Sequence, residues 1–378
     1  MIAIIGGGIA GLSAAVALKQ QGFEARVFER ATSVKPVGAG IILSPNAMYI
    51  LEQLRLGEVV RAEGFQLGPI RLVTAVGKTM QATPSTAEVN GVRYQSIGIS
   101  RAALHHILYH QVADIVVLNQ EVARIQGGGL YSRDGSLYTA DAVLAADGVH
   151  SKIRRHLFPQ VKLRYAGQTC LRALVNVALP EQHLASSAEF WGRGLRFGYV
   201  PIGKDEVYFY ATQTQPAGLH LPEKTRKTHL QTQFRHFAEP VPTLLEAASN
   251  HNIVQHDLWD IPPLPTYHRG KILLIGDAAH AMTPNLGQGA AQALEDAGMI
   301  AQCLREQTDV EDAFAAFERA RLAKVRQLVN LAWRIGLVAN WQSEGLCTLR
   351  NTLLRYAPRG AANSQLERLM RDLPVLHR

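Results

Sequence analysis

Met1-Ile2-Ala3-Ile4-Ile5-Gly6-Gly7-Gly8-Ile9-Ala10-Gly11-Leu12 opens the chain, and its reading decides the fold. Ile2 to Ile5 is an apolar run of strand length. Glycines then stand at the first, third and sixth positions of Gly6 to Gly11, ahead of a helical pattern through Leu12, Ala15, Val16 and Leu18 that stops at Gly22. A second strand, Ala25 to Phe28, delivers Glu29 eighteen residues after Gly11. Strand, glycine turn, helix, strand and acid form a complete βαβ unit of the kind that holds a dinucleotide. Gly6 permits the tight turn, Gly8 lets a pyrophosphate approach the backbone, and Gly11 lets helix and strand pack closely. The pyrophosphate would take the positive end of the helix, and Glu29 would accept hydrogen bonds from an adenosine ribose.

A second strand-turn-helix pattern lies late in the chain. Ile272 to Ile275 reads as a short buried strand, and Gly276 turns the backbone so that Asp277 sits at its carboxyl end, where open α/β sheets bind ligands. Pro284 fixes an extended approach, and Gly287 and Gly289 leave the first amides of a helix from Ala290 to Cys303 uncovered. Such amides suit an anionic or electron-rich group. An ordinary strand-loop-helix turn is the competing reading of this segment taken alone. His280 reads as packed and hydrogen-bonded.

Composition excludes several function classes. A chain of 378 residues with 47% hydrophobic and 19% charged residues builds a sizeable core, as two domains or one large interleaved unit. The net charge of +8 comes without a basic run interleaved with aromatics, so nucleic acid is not expected as a partner. Cys170, Cys303 and Cys347 are far apart, with no spacing for zinc or a redox dithiol, and fit a reducing cytoplasm. Residues 2 to 18 are uncharged but lack a basic leader and are glycine-rich, and no other uncharged stretch is long enough to span a bilayer. No metal and no membrane partner are expected.

Between Leu67 and Thr83, and from Glu189 to Gln213, β-branched and aromatic residues alternate with polar ones, which predicts antiparallel strands. Leu144-Ala145-Ala146-Asp147-Gly148 reads as another buried strand ending at a turn, with Ser151, Lys152 and Arg154 behind it. Gly127-Gly128-Gly129 lacks a following helix and makes no second dinucleotide fingerprint. Val310 to Trp341 is helical, and Leu346 to Arg378 gives a further helical tail broken by Pro358 and Gly360. The expected architecture is α/β, a Rossmann-like three-layer dinucleotide-binding fold interleaved with an antiparallel-sheet domain. Its pieces are residues 1–66, 96–164 and 265–308 for the first domain, 67–95 and 165–264 for the second, and 309–378 for a C-terminal helical segment.

Three separated segments, Gly6 to Gly11 with Glu29, Asp147-Gly148 with Ser151 and Arg154, and Gly276-Asp277 through Gly289, resemble in order and spacing the single-component FAD-dependent aromatic hydroxylases, flavoprotein monooxygenases built like 4-hydroxybenzoate hydroxylase. The resemblance covers nearly the whole chain. It extends to Gly38-Ala39-Gly40-Ile41, similar to the loop beside the flavin ring, and to Arg101 in Ser-Arg-Ala-Ala-Leu, similar to a flavin-contacting arginine. It implies FAD as cofactor, NADH or NADPH as a transient reductant, dioxygen, and a small aromatic or heteroaromatic substrate in a monomer or homodimer. The implied FAD contacts are Gly6, Gly8, Ile9, Ala10, Gly11, Glu29, Arg30, Gly40, Arg101, Val122, Asp147, Asp277, Gly287, Gln288, Gly289, Ala290 and Ala291. Asp277 would contact the ribityl or pyrophosphate part, and the Gly287 to Ala291 backbone the pyrimidine edge. Arg154 either attracts a phosphate of the nicotinamide donor or pairs with a local acid.

The implied reaction takes a hydride from NAD(P)H onto FAD, adds dioxygen as a flavin C4a-hydroperoxide and passes one oxygen atom to an electron-rich ring. The protein must then supply a dry, shaped cavity. Phe197, Tyr199, Val207 and Phe209 alternate with Arg196, Tyr208 and Tyr210, and one of these sets is expected to face the flavin. Pro284 is either the proline beside the reactive flavin carbon, its carbonyl facing the substrate, or a rigid turn. Arg196, Tyr208 and Pro284 are the catalytic candidates, with Arg172 a further substrate-orienting one; Arg196 and Tyr208 stand at spacings similar to those of bacterial FAD-dependent urate hydroxylases. No catalytic base is legible. A reductase or cyclase on this fold, or a flavin- or aromatic-binding protein without turnover, is the alternative.

Overall fold

The computed structural model describes residues 1–33, 39–126, 129–357 and 369–376. Gly38, Gly127, Gly128, Pro358 and Gly360 lie outside the described residues. Ile2–Ile5 pairs in parallel with Ala25–Phe28 on one side and Ala142–Ala145 on the other. Val116–Val117 and Ile272–Leu274 extend this sheet in parallel, and His268–Arg269 closes one edge as an antiparallel sixth strand. Ile2 to Ile5 and Ala142 to Ala145 are buried at every position, as strands covered on both faces must be. The Ile9–Gln20 helix packs against Arg101–Val112 and Gly289–Glu306 to form one covering layer. A small antiparallel sheet of Val122–Gln126, Gly129–Ser132 and Leu137–Thr139 supplies another, and its Tyr138 ring meets Phe28 of the parallel sheet at 4.7 Å.

The second sheet has seven strands, in the order Val254–Asp260, Arg164–Asn176, Glu206–Thr214, Leu195–Pro201, Ser187–Trp191, Ile70–Thr74 and Thr79–Thr83. All pairings are antiparallel except Ser187–Trp191 with Ile70–Thr74. Its period-two alternation sorts side chains sharply. Leu171, Ala173, Phe197, Tyr199, Val207 and Phe209 form one apolar cluster with Leu230, Phe234, Val241 and Leu244 from two short helices, Arg226–Gln233 and Val241–Ala247. The aromatic set expected as a possible lining of the dry cavity is thus consumed in packing on the far side of the sheet. The opposite face carries Cys170 and Arg172, Tyr208 and Tyr210, Arg196, Glu189 and His256, which the register places together.

A buried polar cluster fastens the layers. Arg321, on the Val310–Ala339 helix, is fully buried; its Nε donates to Asp296 Oδ1 at 2.8 Å, an Nη to Glu295 Oε2, and the other Nη to Gln292 Oε1 at 2.7 Å. Asp296 Oδ2 accepts from the Gly276 amide at 2.8 Å and lies 2.6 Å from His280 Nε2. Glu295 accepts from Asn46 Nδ2 at 2.6 Å and from Lys324 Nζ at 2.8 Å. Both carboxylates are therefore paired with cations and bonded on their remaining lone pairs, the condition under which buried charge is tolerated. Burial by itself would raise the Asp296 carboxyl; His280, Arg321 and the Gly276 amide outweigh it and hold it down to about 2.

Arg321→Met would leave Glu295 and Asp296 buried with Lys324 as the remaining paired cation of the arginine site, and is expected to cost about 3–5 kcal/mol in urea unfolding of the FAD-loaded protein. The Asp296 carboxyl is held below its ordinary value of 3.8, so its contribution is fully present above that value and lost as pH falls through about 2. Unfolding free energies from urea titrations between neutral pH and the acid limb should fall in that window, by roughly 2 kcal/mol from this group.

Candidate active site

The three glycine-bearing segments meet at the carboxyl ends of the parallel strands. A Cβ on Gly6, whose φ is +107°, would lie 2.5 Å from the Ala146 carbonyl oxygen, and one on Gly276 would lie 2.6 Å from Ala10 Cβ. The first turn therefore touches both of the others. Gly11 sits where a Cβ would fall 1.9 Å from the Gly6 carbonyl oxygen, so helix and turn pack backbone to backbone as its position in the fingerprint requires.

The residues present fit a dinucleotide. The Ile9–Gln20 and Gly289–Glu306 helices both begin without a side-chain cap. Gly8, Gly148, Gly287 and Gly289 each face open space where a Cβ would stand. Two uncapped helix starts with bare backbone around them make two places for acceptor groups. Glu29 takes the Gly7 amide at 2.6 Å on one oxygen and the Ala31 amide at 2.8 Å on the other, which leaves each oxygen a lone pair. Arg30 beside it is exposed, and Val122 is buried in the core at the start of its strand. Asp147 caps the Lys152–Leu157 helix through Oδ2, while its buried Oδ1 has no partner among the described residues. Asp277 is exposed at the start of a four-residue helix, Arg101 is exposed at the head of its helix, and Ala290 and Ala291 follow Gly289 in the first turn.

Two assignments change. Arg154 is buried, and its guanidinium donates to the carbonyls of Val149, Asp277 and Ala278. It ties the second segment to the third and is not displayed to a phosphate. Pro284 follows an extended Thr283 and starts a 3-10 turn in which its carbonyl accepts the Gly287 amide at 2.9 Å, which is the rigid-turn reading and turns that carbonyl away from a substrate.

The polar face of the seven-stranded sheet closes over this assembly. Gly40 lies directly on Tyr208, a Cβ there falling 2.4 Å from Tyr208 Cβ. Burial pushes the Tyr208 phenol well up, against Arg172 and Arg101, so it stays a neutral hydroxyl. Arg196 is 2% exposed; its Nε donates to Glu189 at 2.5 Å and an Nη to Asn285 Oδ1 at 2.5 Å. Asn285 in turn donates to Thr283 Oγ1 and to the Ala332 carbonyl, both at 2.9 Å. Arg172 has a buried Nε without a hydrogen-bond partner among the described residues. Burial, with Arg172 and Arg101 nearby, lowers His256 to about 4, so it is neutral at physiological pH. A surface depression of about 410 Å³ near Phe234 and Pro242 belongs to the two short helices behind the sheet and not to this assembly.

A family model described as an FAD binding domain matches residues 1–332. The chain belongs to this family of FAD-dependent monooxygenases. It is 33% identical to aurachin C monooxygenase/isomerase from Stigmatella aurantiaca over 99% of this chain and 98% of that one. It is 32% identical to 2-heptyl-3-hydroxy-4(1H)-quinolone synthase from Pseudomonas aeruginosa over 97% of each. The crystal structure of Klebsiella pneumoniae HpxO complexed with FAD and uric acid superposes with a TM-score of 0.88 at 28% identity, covering 99% of this chain and 97% of that one. The FAD-dependent monooxygenase is an oxidoreductase, with NAD(P)H the usual reductant of its family.

Several residues of the monooxygenase site escaped sequence reading. His105 places Nε2 2.6 Å from the Gly7 carbonyl oxygen, so both polar groups of that glycine are held by distant side chains. Glu189 and Asn285, which fix Arg196, and the Glu295-Asp296-Arg321 cluster were also missed. Two adjacent acids inside the otherwise Ala-rich Gly289–Glu306 helix were the available signal for the last. Gly8→Ala should leave the apoprotein melting temperature within about a degree, since its Cβ enters open space, but weaken FAD binding about tenfold or more by fluorescence titration. Gly11→Ala, which collides with the Gly6 carbonyl, should lower both.

Proposed function

We propose that this FAD-dependent monooxygenase hydroxylates a two-ring nitrogen heterocycle bearing a ring carbonyl, held between the polar face of the seven-stranded sheet and the Pro284–Leu286 turn. The observation that carries the reading is the Arg196–Asn285 hydrogen bond, which ties the sheet's polar face to the turn next to Gly287 and Gly289. Glu189 already neutralises Arg196, so this part of the face suits a neutral ring better than a carboxylate. One of the similar proteins named above is a synthase of a 4(1H)-quinolone and another was crystallised with uric acid, and both compounds are such heterocycles.

When bound, FAD accepts the hydride of NAD(P)H and activates dioxygen. The residues proposed to hold it are Gly6, Gly8, Ile9, Ala10, Gly11 and Glu29 with Arg30 and Val122 around the adenosine and pyrophosphate, Asp147 and Asp277 along the chain, and Gly40, Arg101 and Gly287 to Ala291 around the ring. The Gly289–Glu306 helix start would stabilise negative charge on the reduced ring. Tyr208, as a neutral phenol, donates a hydrogen bond to the substrate carbonyl, and Arg196 orients the ring against Pro284. Tight packing of Tyr208 on Gly40 excludes water between sheet and cofactor loop.

The test is NADH or NADPH oxidation by FAD-loaded enzyme with 4-quinolones, purinones and simple phenols. Quinolone or purinone should stimulate consumption and gain one oxygen atom by mass spectrometry; stimulation by phenols alone would sink the heterocycle assignment. Arg196→Lys cannot hold Glu189 and Asn285 in one planar fork, and should lower kcat/KM about ten- to a hundredfold while FAD content stays unchanged.

A further inference from the structure

Gly7 stands between Gly6 and Gly8 in the first turn, and a side chain 98 residues away holds its carbonyl. The amide of Gly7 donates to Glu29 Oε2 at 2.6 Å, and its carbonyl oxygen lies 2.6 Å from His105 Nε2. A carbonyl only accepts, so Nε2 carries the ring hydrogen and donates. The other ring nitrogen, Nδ1, is buried and has no hydrogen-bond partner among the described residues. An apolar side chain of similar size would fill this place without stranding a polar atom, so packing gives no reason for an imidazole here. The bond to Gly7 gives one.

The helix that delivers His105 is itself firmly placed. Ser100 caps Arg101–Val112 by accepting the Ala103 amide at 3.1 Å, and Leu104, Ile107, Leu108 and Val112 are buried along it. It packs along Ile9–Gln20, the helix that starts at the glycine turn. His105 stands one turn after Arg101, and residues four apart share a helix face. The face that meets the turn through His105 therefore also carries Arg101, the residue proposed above for the flavin ring.

The Gly7 carbonyl and the Gly8 amide belong to one peptide group, and in a trans peptide the two point in opposite directions. A donor that holds the carbonyl toward the Arg101–Val112 helix aims the Gly8 amide to the other side. Glu29 acts in the same way on the peptide before it: with the Gly7 amide held, the Gly6 carbonyl turns away, where Gly11 packs against it. Two successive peptide groups are thus clamped from outside the turn, ahead of the uncapped start of Ile9–Gln20 and with open space beside Gly8. We propose that His105 is a positioning residue for the FAD pyrophosphate, presetting the Gly8 amide as a donor so that the turn does not reorganise when the cofactor binds. The proposal rests on the reading of Gly6 to Gly11 as the pyrophosphate end of the site.

FAD affinity of the full-length apoprotein is measured by flavin fluorescence titration in His105→Phe, His105→Gln and Gly8→Ala, with apoprotein melting temperatures alongside. His105→Phe fills the place without a donor, and should weaken FAD binding about tenfold, the worth of one such hydrogen bond, while melting within about two degrees of the parent. His105→Gln, whose amide nitrogen donates to the same carbonyl, should bind FAD within about threefold of the parent. Parent affinity in His105→Phe, or equal losses in the two His105 variants, would overturn the proposal. So would a loss of apoprotein stability in His105→Phe large enough to account for the weaker binding, which would assign His105 to the fold. Gly8→Ala separates the proposal from the reading beneath it. If FAD affinity falls in Gly8→Ala but not in His105→Phe, the role of His105 alone fails; parent affinity in Gly8→Ala removes the pyrophosphate from this turn and the proposal with it.

Discussion

The arrangement of the site hangs on one buried guanidinium. Arg321 receives no water, yet it bonds Gln292, Glu295 and Asp296 along one side of the Gly289–Glu306 helix. Through Asp296 it reaches the Gly276 amide, and through Glu295 it reaches Asn46, whose helix follows the Gly40–Leu43 strand. Stability alone does not call for such a cluster, since apolar residues of similar volume often do as well. Its consequence is geometric. An apolar helix face tolerates small rotations, whereas a forked donor held by three named acceptors does not. The helix is thereby fixed in rotation, and with it the direction in which Gly287 and Gly289 offer their amides.

The seven-stranded sheet solves a second problem by division of labour. A protein that must keep water from a reactive cofactor has an obvious use for aromatic side chains, but Phe197, Phe209 and Tyr199 point the other way. They anchor the short helices behind the sheet and make it rigid. The site-facing side is then free to carry polar groups at fixed positions, and the sheet comes close to the Gly40 strand, as where Gly40 rests on Tyr208. A side chain at position 40 would open that gap.

Much of this was legible in the sequence because glycine and strand signals are local. Ala25–Phe28 was read to the residue, and the helix after Gly289 within a few positions. The three glycine segments were each legible as strand-turn-helix junctions because backbone constraint leaves a residue-type trace, and it was the resemblance that joined them. What was not legible depends on contacts between distant residues. Glu189 and Asn285 are 96 positions apart and carry no pattern that links them to Arg196. Arg154 is open in the sequence between a phosphate of the nicotinamide donor and a local acid; only the fold shows that it spends its donors on backbone carbonyls of Val149, Asp277 and Ala278. Which sheet face met the cofactor loop was undecidable from alternation, since period two fixes that faces differ and not which is which.

The polar face has an electrostatic gradient that bears on substrate choice. At one side Arg196 is cancelled by Glu189; toward the other, Arg172 has a buried Nε with no hydrogen-bond partner, and no carboxylate bonded to it, among the described residues. His256, next to it, is held neutral by burial and by the nearby arginines, so it adds no charge but keeps both a donor and an acceptor nitrogen. Under the proposed reading, a neutral ring with one carbonyl and one ring N–H would find a donor in Arg172 or Tyr208 and an acceptor in His256 or Glu189. An unpaired buried donor costs stability until something accepts from it. On that reading, a ligand that brings acceptor and donor together, such as a ring lactam, would complete the face.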